Sequence, residues 1–176
     1  MNIWHDIAPD KIKEDEFLCV IEISRGSKNK YEICKDTGML RLDRVLSTST
    51  RYPCNYGFIP RTLSEDGDPL DVMVLGYEEV LPMSLVKCAP IGFIEMIDNG
   101  ERDEKIIAVP IYKGSQWIQY KDISEVPTPI ANEIMHFLKV YKDLEKDNKV
   151  EIRPLKGREE AIKIIKEALE LYKSSF

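Results

Sequence analysis

The sequence lacks several features that would place it in common classes of protein. No apolar run is close to the length of about 18 residues that a transmembrane helix needs, so no membrane association is expected. The four cysteines form no C-x-x-C pair and the two histidines lie far from them, which argues against a zinc site. Residues 1–16 are polar and mixed in charge, unlike a signal peptide. We therefore expect reduced thiols and a cytoplasmic location.

The usual backbone motifs of phosphate chemistry are also missing. The chain contains no G-x-x-x-x-G-K-[ST] loop, no G-x-G-x-x-G loop and no G-x-S-x-G nucleophile elbow. Basic residues are the minority, since 25 Lys and Arg stand against 31 Asp and Glu, for a net charge of −6. Such a surface does not attract nucleic acid as a whole, so no nucleic-acid partner is expected. Any phosphate chemistry would therefore depend on metals and side chains.

The order of the predicted elements indicates one α+β domain over residues 1–176. Hydrophobic residues make up 43% of the chain, enough for one sizeable core. Apolar or alternating segments predict strands at 17–23, 30–35, 39–43, 71–75, 85–97, 105–112 and 149–154. Pro90 is expected to break or bend the fifth of them. Many short strands followed by helices are typical of a small antiparallel barrel.

Helical periodicity predicts two helices, at about 128–146 and about 158–173. Thr128 is a suitable N-cap for the first, with Pro129 in the first helical position. Apolar residues recur on one face of the first helix at Ile130, Ile134, Phe137, Leu138, Tyr141 and Leu144. They recur on one face of the second at Ala161, Ile164, Ile165, Ala168, Leu169 and Tyr172.

Two acidic turns are candidate metal sites. Asp66, Asp68 and Asp71 crowd into the run EDGDPLD just before a predicted strand, and a second turn carries Asp98 and Asp103. Converging carboxylates repel one another unless a cation is bound, and an all-oxygen set favours Mg²⁺ or Mn²⁺ over zinc. Acidic turns are more often simply solvated, so neither turn alone establishes a metal site.

Basic and phenolic side chains, which together make good phosphate receptors, lie on the neighbouring segments. They are Lys30, Arg44, Lys105, Lys142, Tyr52, Tyr56 and Tyr141. A lone base on a strand is usually solvated, and Tyr52 or Tyr141 would equally suit a hydrophobic core. These residues by themselves leave the substrate open.

In combination, these segments resemble the family I soluble inorganic pyrophosphatases of bacterial type. The run DGDPLDV (66–72) is similar to the long and specific family signature D-G-D-P-x-D-V. Further similar segments follow the family order, namely KYE (30–32), DRVLSTSTRYPCNYGFIP (43–60), the group Asp98, Asp103 and Lys105, and YKDLEK (141–146). The resemblance implies a five-stranded OB-like antiparallel β-barrel with two flanking helices, assembled as a homohexamer.

The resemblance further implies hydrolysis of inorganic pyrophosphate by a metal-activated water, with no covalent intermediate. Several Mg²⁺ ions per subunit are expected, with Mn²⁺ as a candidate substitute. The implied general base is Asp68, and the implied metal ligands are Asp66, Asp71, Asp98 and Asp103. The implied pyrophosphate-binding residues are Lys30, Arg44, Tyr56, Tyr141 and Lys142. Supporting or water-mediated roles fall to Glu22, Glu32, Tyr52 and Lys105.

Two positions depart from the family pattern. Asn99 stands where many bacterial members have a second acid after Asp98, which removes a negative charge near the metal that arrives with substrate. Ser24 replaces the proline that usually follows the strand carrying Glu22. Two other functions stay open at this point: an oligonucleotide-binding barrel, and a metal-dependent hydrolase of nucleotides or organic phosphates.

Overall fold

The computed structural model describes residues 1–176, which form nine β-strands and two α-helices. The strands are β1 (Phe17–Ile23), β2 (Asn29–Ile33), β3 (Leu40–Val45), β4 (Asn55–Phe58), β5 (Asp71–Val74), β6 (Leu85–Asp98), β7 (Glu101–Pro110), β8 (Val150–Ile152) and β9 (Lys156–Gly157). The helices are α1 (Thr128–Val140) and α2 (Arg158–Ser175). Neither is long and apolar enough to cross a membrane.

Five of the strands close into a ring in the order β1–β4–β5–β7–β6, and β6 pairs back with β1. The predicted α+β class and five-stranded OB-like arrangement are thus confirmed. The prediction of an antiparallel barrel is wrong at one place, because β5 and β7 run parallel. The chain reverses direction twice between them, once into β6 and once into β7. Outside the ring, β2 pairs with β3, and β8 and β9 add to β6.

Alternate residues of β5 and β7 face two different hydrophobic cores, as the two-residue period of a strand requires. Met73 and Ile107 belong to the core that contains α1, whereas Val72 and Ile106 belong to the core that contains α2. All four side chains are fully buried. Asp71, two residues before Met73, therefore lies on the α1 side of the ring.

The first helix is shorter than the sequence predicts. It ends at Val140, Tyr141 is its C-cap, and turns follow. The predicted end at 146 is wrong, as is the place of Leu144 on the apolar face, since that side chain is 72% exposed. Leu144 is the one apolar residue between Tyr141 and β8, so packing does not favour another helical turn. Pro127, and not Thr128, precedes the first helical residue.

The second helix agrees with its prediction within two residues at its end. Its buried face carries Ala161, Ile164, Ile165, Ala168 and Tyr172, and Leu169 packs partly buried against the same core.

The strand predictions differ from the structure mainly around one tight hairpin. Asn99 and Gly100 have φ values of 50° and 85° and form the two-residue turn between β6 and β7. Pairing resumes at once, so β7 begins at Glu101 and Lys105 lies inside the strand instead of opening it. The predicted acidic turn is likewise wrong, because one of its two acids ends β6 and the other lies within β7.

Two short strands, β4 and β9, were not predicted. Strand β4 contains Gly57, and a methyl group added there would meet the carbonyl oxygen of Val20 at 1.8 Å, so the close pairing of β1 and β4 requires glycine. At Pro90 strand β6 continues through a register irregularity that ends at Gly92. The strand is therefore not broken at Pro90, where its pairing with β7 shifts register.

Candidate active site

A cleft of about 550 Å³ opens between the β2–β3 hairpin, the end of α1 and the β4, β5 and β7 strands of the ring. Every predicted site residue except Asp98 lines it. Asp98 lies next to the cleft, because its Oδ2 accepts a hydrogen bond from the lining residue Lys142. The fold therefore brings together acidic, basic and phenolic groups from segments far apart in sequence.

Lys105 lies at the centre of this arrangement and is only 3% exposed. Its Nζ is 2.6 Å from Oδ2 of Asp71, 2.8 Å from Oδ1 of Asp103 and 2.7 Å from the hydroxyl of Tyr56. Strand register explains the contacts, since Asp71 is the partner of Lys105 on the parallel strand and Asp103 precedes it by two residues on the same face. The sequence predicts a supporting residue here, and the structure places it at the hub.

Burial and the neighbouring charges together set the ionisation of the central groups. Burial alone would lower the pKa of Lys105, but Asp71, Tyr56 and Asp103 together raise it well above its usual value, so the ammonium stays charged. Burial raises the pKa of Asp71, with Lys105 opposing the rise and Asp103 adding to it. Burial also raises the pKa of Tyr56 well above its usual value, so its phenol stays neutral.

The acidic turn before β5 is held by a hydrogen bond between one of its side chains and its backbone. Oδ1 of Asp66 accepts a hydrogen bond of 2.9 Å from the amide of Asp68, and Gly67 between them has a φ of 84°. Burial raises the pKa of Asp66 to about 6, while that hydrogen bond lowers it. The carboxylate of Asp68 points elsewhere and accepts a hydrogen bond from Lys35.

Two glutamates line the same cleft in different settings. Glu22 is 8% exposed, and its Oε1 accepts a hydrogen bond of 2.8 Å from the amide of Ile33. Burial raises its pKa to about 8, although that hydrogen bond works in the opposite direction. Glu32 is more accessible and forms ion pairs with Arg41 and with Lys30.

The β2–β3 hairpin sets two bases opposite each other, because Lys30 and Arg44 are cross-strand partners. Nζ of Lys30 is 3.3 Å from Oδ2 of Asp43. Nε of Arg44 is 3.3 Å from Oε1 of Glu145, but it is buried and makes no hydrogen bond. A buried donor that makes no hydrogen bond costs free energy, and a suitably oriented anion in the cleft would accept one from it.

Two tyrosines belong both to a hydrophobic core and to the lining of the cleft. Tyr52 and Tyr141 are 3% and 6% exposed and belong to the core that contains α1, yet both line the cleft. Tyr141 stacks on Phe137 with ring centroids 4.9 Å apart, and the ammonium of Lys142 lies 5.6 Å from the Tyr141 ring. Burial raises the pKa of both phenols, so both are neutral hydrogen-bond donors.

The predicted metal ligands offer a suitable donor set, although no three carboxylates lie in coordinating geometry. Asp71 and Asp103 both contact Lys105 instead. Asp98 retains a buried oxygen, Oδ1, with no hydrogen-bond partner. Aspartate oxygens with one unsatisfied buried acceptor suit a hard divalent cation, so the residues present fit a magnesium ion.

Comparison with known proteins decides the family. The sequence pattern described as "Inorganic pyrophosphatase" matches residues 19–173 of the chain. The chain belongs to the inorganic pyrophosphatase family. It is 47% identical to "Soluble inorganic pyrophosphatase 2" of Chlamydomonas reinhardtii, over 98% of this chain and 89% of that protein. It is 43% identical to an inorganic pyrophosphatase of Aquifex pyrophilus, over 97% of each.

Solved structures of pyrophosphatases have the same fold. The enzyme of Thermus thermophilus superposes with a TM-score of 0.89 at 37% identity, covering 98% of this chain and 99% of that one. The enzyme of Helicobacter pylori superposes with a TM-score of 0.88 at 40% identity, covering 92% and 95%. The resemblance to family I soluble pyrophosphatases is thereby confirmed, and these enzymes are metal-dependent hydrolases.

Two bases in this pyrophosphatase cleft were not predicted from the sequence. Lys35 and Arg41 line the cleft and pair with Asp68 and Glu32. Arg41 is the cross-strand partner of Glu32, a relationship that only the hairpin register reveals. Lys35 follows the end of β2 and is 33 residues from its partner, so no sequence pattern indicates that pair.

The two departures from the family pattern have structural explanations. Asn99 exchanges two hydrogen bonds with Lys149, one from each backbone amide, at 2.9 and 3.0 Å, and so joins the β6–β7 turn to the segment before β8. Asparagine also tolerates the positive φ at this turn better than most residues. The hydroxyl of Ser24 donates a hydrogen bond of 2.6 Å to the carbonyl of Val80, which fixes the end of β1 without a proline.

Proposed function

We propose that this chain hydrolyses inorganic pyrophosphate to two orthophosphates by direct attack of water, with Mg²⁺ as its cofactor. The carrying observation is a single cleft that combines clustered aspartates with arginine, lysine and tyrosine groups, in a member of the inorganic pyrophosphatase family. Relatives named as inorganic pyrophosphatases are 43% to 47% identical over nearly the whole chain.

Asp66, Asp71 and Asp103 would hold the activating ions, and Asp98 with Asp103 would hold an ion that arrives with the substrate. The Oδ1 of Asp98, which has no hydrogen-bond partner, and the exposure of the acidic turn at 65–68 support this assignment. Magnesium bound there would lower the pKa of a water molecule and offset negative charge on the phosphoryl groups. Glu22 and Glu32 would act one step further out, through water. Mn²⁺, which shares the oxygen preference, is a candidate substitute.

The basic and phenolic groups that line the cleft would bind pyrophosphate. Arg44, Tyr141 and Lys142 would neutralise the leaving phosphate, while Lys30 and Tyr56 would hold the phosphoryl group under attack. The unsatisfied Nε of Arg44 supports this role most directly. Lys105, which contacts Asp71, Asp103 and Tyr56, and the buried Tyr52 would support the site.

Asp68 would accept the proton of the attacking water. Its carboxylate is about half exposed and lines the cleft, whereas Asp71 and Asp103 are engaged with Lys105. Catalysis would then consist of positioning, proton acceptance and charge stabilisation, with no covalent intermediate, as phosphoryl transfer commonly requires.

We further propose a single domain over residues 1–176, a homohexamer and a cytoplasmic location. Both hydrophobic cores share strands β5 and β7, which supports one folding unit. Sedimentation velocity tests the assembly, with a hexamer expected near six times the 20.3 kDa chain mass and a monomer contradicting it.

A phosphate-release assay tests the function. Pyrophosphate and ATP are compared under Mg²⁺, under Mn²⁺ and in excess EDTA, with single-stranded oligonucleotide binding measured alongside. We expect rapid release from pyrophosphate, little from ATP, and none in EDTA. Equal rates on ATP would favour a general phosphohydrolase, and full activity in EDTA would contradict the metal requirement.

A further inference from the structure

Lys35 lies at the mouth of the cleft, on the turn that joins β2 to β3. Its Nζ donates a hydrogen bond to Oδ1 of Asp68, the residue proposed above as the general base. The two side chains are 53% and 56% exposed. Ion pairs this exposed are weak, because water screens them and both side chains lose freedom. A more highly charged anion in the cleft would therefore compete effectively for the ammonium.

Trp4 provides a fixed surface on the other side of Lys35. The Lys35 ammonium lies 5.4 Å from the centroid of the Trp4 ring, a favourable cation–π distance. The ring is held independently of Lys35, because its Nε1 donates a hydrogen bond of 2.8 Å to the carbonyl of Thr62 and its face stacks on His5. Trp4 also lines the cleft, so a ring that the fold keeps in place reports on the position of this ammonium.

We propose that Lys35 is a substrate-contacting residue that pairs with Asp68 before substrate binds and transfers to pyrophosphate when it enters. While Lys35 occupies Oδ1 of Asp68, that atom is less accessible to a water molecule. Pyrophosphate carries more negative charge than one carboxylate and draws the ammonium away, which leaves Asp68 free to contact water. Substrate entry and release of the base are thereby coupled, and the inference rests on the proposed role of Asp68.

Steady-state kinetics with pyrophosphate test the transfer. Lys35→Met should raise KM about tenfold, the usual effect of losing one charged hydrogen bond to a ligand, and change kcat by less than about threefold. Lys35→Arg should restore most of the KM. Lys87→Met is the matched control, because Lys87 forms an equally exposed ion pair with Glu16 outside the cleft. A KM equal to that of Lys87→Met, or a loss confined to kcat, would overturn the inference.

A spectroscopic measurement on Trp4 reports the position of the Lys35 ammonium. The protein is labelled with 5-fluorotryptophan, and Lys35→Met is compared with the wild type by ¹⁹F NMR, with Trp4→Phe assigning the resonances. Methylenediphosphonate with Mg²⁺ should shift the Trp4 resonance in the wild type and leave it nearly unshifted in Lys35→Met. The Trp117 resonance serves as the internal reference. Equal shifts of Trp4 in the two proteins would contradict movement of Lys35.

Asp68→Asn separates this inference from the proposed function. Wild-type turnover by Asp68→Asn would remove Asp68 as the base and, with it, the ground for coupling. Impaired turnover by Asp68→Asn together with an unchanged KM in Lys35→Met would overturn the role of Lys35 alone and leave the proposed function standing.

Discussion

Nζ of Lys105 lies 2.6 Å from Oδ2 of Asp71, across the one parallel strand pair of the ring. The lysine therefore carries a positive charge into the middle of the aspartates that the metals are proposed to bind. Removing it would leave Asp71 and Asp103 facing each other with no cation between them in the metal-free protein.

Lys105→Met should reduce the free energy of unfolding of the metal-free protein by about 3 kcal/mol, the usual cost of removing one partner of a buried ion pair. Added Mg²⁺ should recover more stability in this variant than in the wild type, because the ion would replace the missing charge. Urea denaturation in EDTA and in Mg²⁺ measures both effects. The exposed pair of Lys87 supplies the control, and a loss no larger than that of Lys87→Met would contradict the prediction.

Asp68→Asn should lower kcat by about 10² to 10⁴, the range of a general acid–base contribution. Magnesium binding, measured calorimetrically, should change little, because the proposed ligands are other aspartates. Asp36→Asn is a fair comparison, since Asp36 also lines the cleft but has no assigned role. Turnover like that of the wild type in Asp68→Asn would refute its assignment as the base.

The buried carboxyl of Glu22 should make stability depend on pH. Its pKa is about 8 in the folded protein against 4.5 ordinarily, so the folded state retains a proton that the unfolded state has lost between these values. The contribution is complete below about pH 4.5 and is lost as the pH rises to 8, with a slope approaching about 1.4 kcal/mol per pH unit. Urea denaturation of the metal-free protein at several pH values measures it.

Glu22→Gln should flatten that part of the profile, because the amide keeps the shape of the protonated acid and does not ionise. Glu16→Gln, which alters an exposed acid paired with Lys87, should leave the slope as it is. A Glu22→Gln profile as steep as that of the wild type would show that other groups cause the dependence.

Gly57→Ala should weaken both stability and activity. The added methyl group would overlap the carbonyl of Val20 and force β1 and β4 apart, at a cost of about 3 kcal/mol or more. The adjacent Tyr56, which contacts Lys105, would be displaced as well. Thermal unfolding and pyrophosphate turnover test this, with Gly76→Ala as the comparison, since its nearest neighbour would lie at an ordinary 3.6 Å.

Local sequence patterns predict β1 and α2 well. The apolar residues of β1 are dense, those of α2 are strictly periodic, and the polar residues that flank each segment end its pattern. The same patterns do not predict where α1 ends, since that depends on whether a further turn finds anything to bury. These patterns also do not show which residue lies at the centre of the site. Lys105 meets Asp71 only through the register of a parallel pair, which neither strand encodes by itself.

Local patterns indicate the acidic turns and the nearby bases as candidates but leave simple solvation as the commoner alternative, and the family resemblance is what assigns each residue a role. Their mutual pairing lies beyond any local pattern. Arg41 with Glu32 and Lys35 with Asp68 are contacts between segments, set by hairpin register and by the turn before β5. Long-range ion pairs of this kind have no local signature.

The Asn99–Lys149 contact has a consequence for how the enzyme could be re-engineered. Asn99, at a position that often carries an acid in bacterial relatives, joins the β6–β7 turn to the segment before β8. Its side chain contributes a single oxygen acceptor to that contact. An aspartate would keep one oxygen on the amide of Lys149 and leave the other free, so both hydrogen bonds between the two segments would be retained. The charge at this corner of the protein can therefore be added or removed in one substitution, without rebuilding the backbone around it.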